Sequence, residues 1–105
     1  MSEKKELAIV ALSSSESQPG NYVLILEELE QQRRIPIIIG MPEAQSIAIA
    51  MEQMQPIRPL THDLLKSTIE ALGGVLKEVL IHDLVEGVFH ARLMLQKHDG
   101  AILEI

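Results

Sequence analysis

The stretch Gln55-Pro56-Ile57-Arg58-Pro59-Leu60-Thr61-His62-Asp63-Leu64-Leu65 stands between two runs of helical periodicity. Before it, Ala44, Ile47, Ala48, Met51 and Met54 recur at i, i+3, i+4, i+7 and i+10, the spacing of one helix face. After it, Leu64, Leu65, Thr68, Ile69 and Leu72 make a second stripe. Pro56 stops the first helix, because proline has no N–H to donate and its ring clashes with the preceding turn. The second helix is expected to begin at the polar cluster, with Thr61 as N-cap and Asp63 complementing the positive end of the helix dipole. Gly73-Gly74 closes it, one glycine suiting the left-handed position that follows a helix.

Working outward, Leu7 to Leu12, Tyr22 to Leu29 and Ile35 to Ile39 read as strands. They are joined by two polar stretches, one ending in Pro19-Gly20 and the other being Gln31-Gln32-Arg33-Arg34. Pro36 cannot donate to a ladder, which places it at the start of its strand or on a sheet edge. Pro42 suits the first turn of a helix, and Glu43 lies near its positive end. Past the second helix, Val75 to Val85 and Val88 to Lys97 flank Glu86-Gly87. A two-residue loop there sets Leu84 opposite Phe89 and Asp83 opposite His90. A three-residue loop at His98-Asp99-Gly100 sets Leu95 opposite Leu103 and Leu93 opposite Ile105. The order βββ-αα-βββ predicts an α+β domain over residues 1–105, a mostly antiparallel sheet with its helices on one face.

Length and composition bound the function. The chain has 105 residues, enough for one domain with a modest core. Its 47% hydrophobic and 23% charged residues fit a folded protein and exclude intrinsic disorder. There is no cysteine, so disulfides and thiolate metal sites are excluded. The start, Ser2-Glu3-Lys4-Lys5-Glu6, lacks the apolar core of a signal peptide, and no apolar run has the length of a membrane span. The expected location is the cytoplasm. The net charge of −6 disfavours a nucleic-acid partner, because phosphate backbones are normally met by a basic face. Tyr22 and Phe89 are the only aromatic residues, too few for a base-stacking platform. A nucleic-acid partner would therefore need a local basic patch or a bridging metal ion.

Residues 58–63 carry two readings. In one, Thr61 and Asp63 cap a helix, the prolines shape a turn and His62 lies on the surface. In the other, Arg58 holds a phosphate or carboxylate, His62 acts as acid, base or metal ligand, and Asp63 orients it or binds the metal. Asp83 and His90 likewise form either an ordinary cross-strand charge pair or a binding pair. No glycine-rich phosphate loop and no Ser/His/Asp triad can be assembled from the spacing.

Several segments together resemble the bifunctional nuclease domain family. They are Ile35-Pro36-Ile37-Ile38-Ile39-Gly40, Glu43-Ala44, and Arg58-Pro59-Leu60-Thr61-His62-Asp63-Leu64-Leu65. Val79-Leu80-Ile81-His82-Asp83-Leu84 and Phe89-His90-Ala91-Arg92-Leu93 extend the likeness over nearly the whole chain. The family pattern has proline or a similar residue before the arginine, where this sequence has Ile57. The family also continues with a D-x-R-P-S-D-A block where this chain reaches Leu103-Glu104-Ile105. Half of the family's polar signature is thus expected beyond these residues, and either a longer chain or an oligomeric partner is expected to cover the last strand. The resemblance implies a nuclease hydrolysing DNA or RNA phosphodiesters, assisted by a divalent metal such as magnesium or manganese. Arg58, Thr61, His62 and Asp63 are then the catalytic candidates, with His62 and Asp63 as metal ligands. Glu43, Asp83 and His90 are binding candidates. The competing reading is a non-catalytic homo-oligomeric module that uses the same turn to contact an anion or a partner.

Overall fold

The computed structural model describes residues 4–105. The chain divides into two compact units, one ending at Gln55 and the other running Pro56–Ile105. The first contains β1 (Leu7–Ser14), β2 (Asn21–Glu28), β3 (Arg34–Gly40) and α1 (Met41–Met51). The second contains α2 (Thr61–Ala71), β4 (Val75–Val85), β5 (Val88–Gln96) and β6 (Ile102–Glu104). The βββ-αα-βββ order and the α+β class stand as read from the sequence. The strands are partitioned into two antiparallel sheets, β1-β2-β3 and β4-β5-β6. Each sheet has its own helix, α1 against β2 and β3, and α2 against β4. Among the described residues, no helix is long and apolar enough to cross a membrane.

In the first unit β2 is central, and its alternation buries Leu24, Leu26 and Glu28 on one side. Ala44 of α1 is also buried. Pro36 lies on the edge strand β3 opposite Ile25, where its missing N–H costs no ladder bond. The buried carboxylate of Glu28 accepts a 2.9 Å hydrogen bond from Arg33 Nε across the turn. Arg34 lies 3.9 Å from Glu27, so both arginines of this loop face carboxylates of the same unit. The helix α1 ends three residues before the last member of its apolar stripe. Gln53 adopts φ 54, and the amides of Gln53 and Met54 donate back to Ala50 and Ile49, the paired bonds of a Schellman ending.

The second unit repeats that ending at α2. Gly73 has φ 88, and the Gly73 and Gly74 amides donate to Glu70 and Ile69. Between β4 and β5, Leu84 pairs with Phe89 and Asp83 with His90, the register set by the two-residue loop. Glu86 and Gly87 both have positive φ, 50 and 79, as a type I′ turn requires. Leu95 pairs with Leu103, and Leu93 exchanges backbone hydrogen bonds with Ile105, as the three-residue loop predicts. Leu95 is the buried apolar residue of this unit. From the α2 stripe only Ile69 is half-buried, while Leu64, Leu65 and Leu72 are exposed.

These turns make two stability outcomes testable. Gly73→Ala should destabilise by about 1–2 kcal/mol, the cost of holding an L-residue in the left-handed region. An added Cβ would also lie 3.1 Å from His98 Cβ. Denaturant midpoints measure this, and an unchanged midpoint would mean the turn relaxes freely. Glu86→Asn should stabilise by a few tenths of a kcal/mol to about 1 kcal/mol, because Asn-Gly is favoured in this turn type. A lower melting temperature for that variant would contradict the turn assignment.

Candidate functional site

The chain approaches α2 through Pro56 and Pro59, with a bend at Ile57 and Arg58. Leu60 is extended, φ −78 and ψ 168, and occupies the N-cap position. Thr61, His62 and Asp63 are therefore the first three residues of the helix. This corrects the expectation that Thr61 would be the cap. The reason is local: Asp63, at the third helical position, folds back so that its Oδ2 accepts the Leu60 N–H at 2.9 Å. That is the reciprocal half of a capping box. Leu60 has no polar atom to supply the other half, and among the described residues no side chain caps the first amides of the helix. Those amides and the aligned peptide dipoles leave the start of α2 positive.

The other oxygen of Asp63, Oδ1, lies 3.4 Å from His62 Nε2. Both side chains are about half exposed, 51% for His62 and 42% for Asp63. Asp63 thus serves two partners, one oxygen on the backbone and one beside the imidazole. Arg58 is exposed and makes no hydrogen bond or ion pair among the described residues. The structure therefore brings His62 and Asp63 together. Arg58 sits on the approach to the same helix with its guanidinium uncommitted.

The remaining candidates belong to other elements. Glu43 is part of the first unit, where it sits in the first turn of α1 with its carboxylate folded over Gly40. Asp83 and His90 are cross-strand partners on the β4–β5 hairpin, but their side chains engage other groups. Asp83 Oδ1 accepts the Leu84 N–H at 2.8 Å. The His90 ring lies beside His82, with centroids 6.4 Å apart and planes tilted by 53°. His82 comes into play because the ladder slips between Ile81 and Asp83. Strict strand alternation would put His82 and Asp83 on opposite faces. Nothing in the residue pattern marks that bulge.

The metal implied by the resemblance can be tested against these donors. Among the described residues, no three His, Asp or Glu side chains converge on a point that a metal ion could occupy. His62 and Asp63 offer two donors, and one carboxylate oxygen is already held by the Leu60 amide. A hard divalent ion takes about six oxygen ligands. The described side chains at α2 do not by themselves fit it.

Known proteins share most of this chain. The family model described as the bifunctional nuclease domain matches residues 24–105. The chain belongs to the bifunctional nuclease domain family. The matched region starts within β2 and includes both helices and the whole β4-β5-β6 sheet, while β1 precedes it. Two curated relatives are the uncharacterized proteins MT1877 and Rv1829 of Mycobacterium tuberculosis, from strains CDC 1551 / Oshkosh and ATCC 25618 / H37Rv. Each is 49% identical to this chain over 82 residues, 77% of this chain and 50% of the relative. The chain spans about half the length of these curated relatives.

The half capping box at the start of α2 gives a direct test of local order in this bifunctional nuclease domain. Asp63→Ala should cost about 0.5–2 kcal/mol, the usual range for losing a helix cap. Asp63→Asn keeps an acceptor oxygen and should lose less. Urea unfolding of both variants measures the difference, and equal midpoints for Ala and wild type would show that the Leu60 amide is satisfied by water instead.

Proposed function

We propose that this chain carries part of a phosphodiester-hydrolysing site for DNA or RNA, centred on the start of α2. Membership of the bifunctional nuclease domain family carries this reading. The geometry at α2 supports this reading. The exposed Arg58 guanidinium is free to hold a phosphate, for which its planar donors are well suited. The uncapped first amides of α2 add a positive end to the same stretch. Thr61, exposed in the first turn, has a hydroxyl to donate to a phosphate oxygen.

His62 is the proton carrier in this reading. With Nε2 lying 3.4 Å from Asp63 Oδ1, the nitrogen left for the role of base is Nδ1. A water molecule loses a proton to Nδ1 as its oxygen bonds to phosphorus. The opposite P–O bond breaks, the leaving oxygen takes a proton from solvent water, and the imidazolium returns its proton to solvent. Asp63 orients the ring by its position beside Nε2. Charge distribution supports a nucleic-acid substrate better than the total of −6 suggests. Residues 56–105 hold five basic against seven acidic side chains, while residues 1–55 hold four against eight. Most of the repulsive excess therefore belongs to the other unit.

The experiment is a cleavage assay on single-stranded DNA and RNA with purified protein, run with EDTA, magnesium and manganese in parallel. His62→Ala should lower turnover by roughly 10²- to 10⁴-fold, the usual contribution of a positioned acid or base. Arg58→Ala should weaken substrate binding by roughly 10- to 100-fold, equivalent to a charged hydrogen bond of about 1.5–3 kcal/mol. Arg58→Lys should recover part of it. Cleavage by His62→Ala at the wild-type rate would overturn the assignment. An absence of turnover under every condition, with assembly that grows with concentration, would favour the homo-oligomeric binding module. The exposure of Leu64, Leu65 and Leu72 on α2 is what such a module would use.

A further inference from the structure

The β4–β5 hairpin places two imidazoles side by side where strand alternation would separate them. Asp83 pairs with His90 and Ile81 with Ala91, so His82 is the extra residue of a bulge. In such a bulge two residues of one strand oppose one residue of the other, and the distortion re-aims a side chain. Here it sets the His82 ring next to His90, at 6.4 Å between centroids. Both residues are exposed. The hairpin beneath them is held by the cross-strand ladder and the tight Glu86-Gly87 turn. Asp83, next to His82 in sequence, has its Oδ1 committed to the Leu84 N–H, and Arg92, two residues along β5 from His90, lies 3.4 Å from the carboxylate of Glu104.

We propose that His82 and His90 form a two-imidazole site for a borderline first-row divalent cation such as copper(II), nickel(II) or zinc. The argument rests on donor type and reach. Neutral imidazole suits these ions, whereas magnesium and calcium select oxygen. With metal–nitrogen distances of about 2.0–2.1 Å, two rings bound at a tetrahedral angle have centroids roughly 5 Å apart. The observed separation is wider by about the amount that side-chain rotation of two exposed residues can close. A tilt of 53° keeps the rings from stacking and lets a ring nitrogen of each turn toward a shared point. Water or an added anion completes the coordination, because no third described side chain converges there. The site is separate from the start of α2 and does not depend on the nuclease reading.

Copper(II) titration of the whole chain tests this, followed by calorimetry and electron paramagnetic resonance. The wild type should bind one equivalent, with hyperfine structure from coordinated nitrogen. Affinity should fall from copper to nickel and zinc, following the usual order for nitrogen sites, and magnesium should give no heat at this site. His82→Gln and His90→Gln should each weaken copper binding by about tenfold or more, as loss of one chelating ligand does. Both keep a polar side chain on the exposed hairpin, and circular dichroism checks their fold. His98→Gln should bind as the wild type does. Undiminished binding in either hairpin variant, or loss confined to His62→Ala, would overturn the proposal.

Discussion

Residues in the left-handed region of backbone space set most of the junctions in this chain, and the register of each succeeding element depends on them. Gly20 and Gln32 lie in the first two strand connections, Gln53 after α1 and Gly73 after α2. Glu86 with Gly87 and Gly100 lie in the last two. Only the passage from β3 into α1 does without one, because Gly40 is extended and α1 begins on the next residue. A left-handed residue costs an L-amino acid roughly 1–2 kcal/mol. Three of these positions are nonetheless Gln or Glu. Their strain is offset by backbone hydrogen bonds, as at Gln53, whose amide bonds to Ala50 while the Met54 amide bonds to Ile49.

Arginine usage separates structural cations from a free one. Arg33 is spent on the buried Glu28, and Arg34 lies near Glu27. Glu28 Oε1 has no hydrogen-bond partner among the described residues, so the Arg33 contact is the compensation available to that carboxylate. Leaving a buried charge unpaired is costly, which explains why this pair occupies a short turn between two strands. Arg58 has no such duty. The contrast is between an arginine that stabilises a hairpin and one whose donors face solvent before an uncapped helix end.

Asp63 illustrates how a single carboxylate can serve two local contacts. Its Oδ2 replaces water on the Leu60 amide and so fixes where α2 begins. The start of the helix in turn decides that His62 is its second residue, beside Oδ1. The region matched by the family model, residues 24–105, includes this helix start.

The sequence by itself determined whatever depends on neighbours along the chain. The element order, the Gly73 ending of α2 and the pairings of Leu84 with Phe89 and Leu95 with Leu103 all derive from loop length and residue type within a few positions. Pro36 on a sheet edge reflects its missing donor. The segments carrying the family resemblance were legible for the same reason, being contiguous. Tertiary structure decided what depends on hydrogen bonds not encoded by residue type. The six strands form two sheets rather than one, because each ladder closes among its own hairpin neighbours. Leu60 rather than Thr61 became the cap because an acceptor three residues later reached its amide. His82 joined His90 through a bulge that alternation cannot foretell. Leu64 and Leu72 share the helical period of buried residues but remain exposed, because periodicity selects a face and only packing supplies a partner for it.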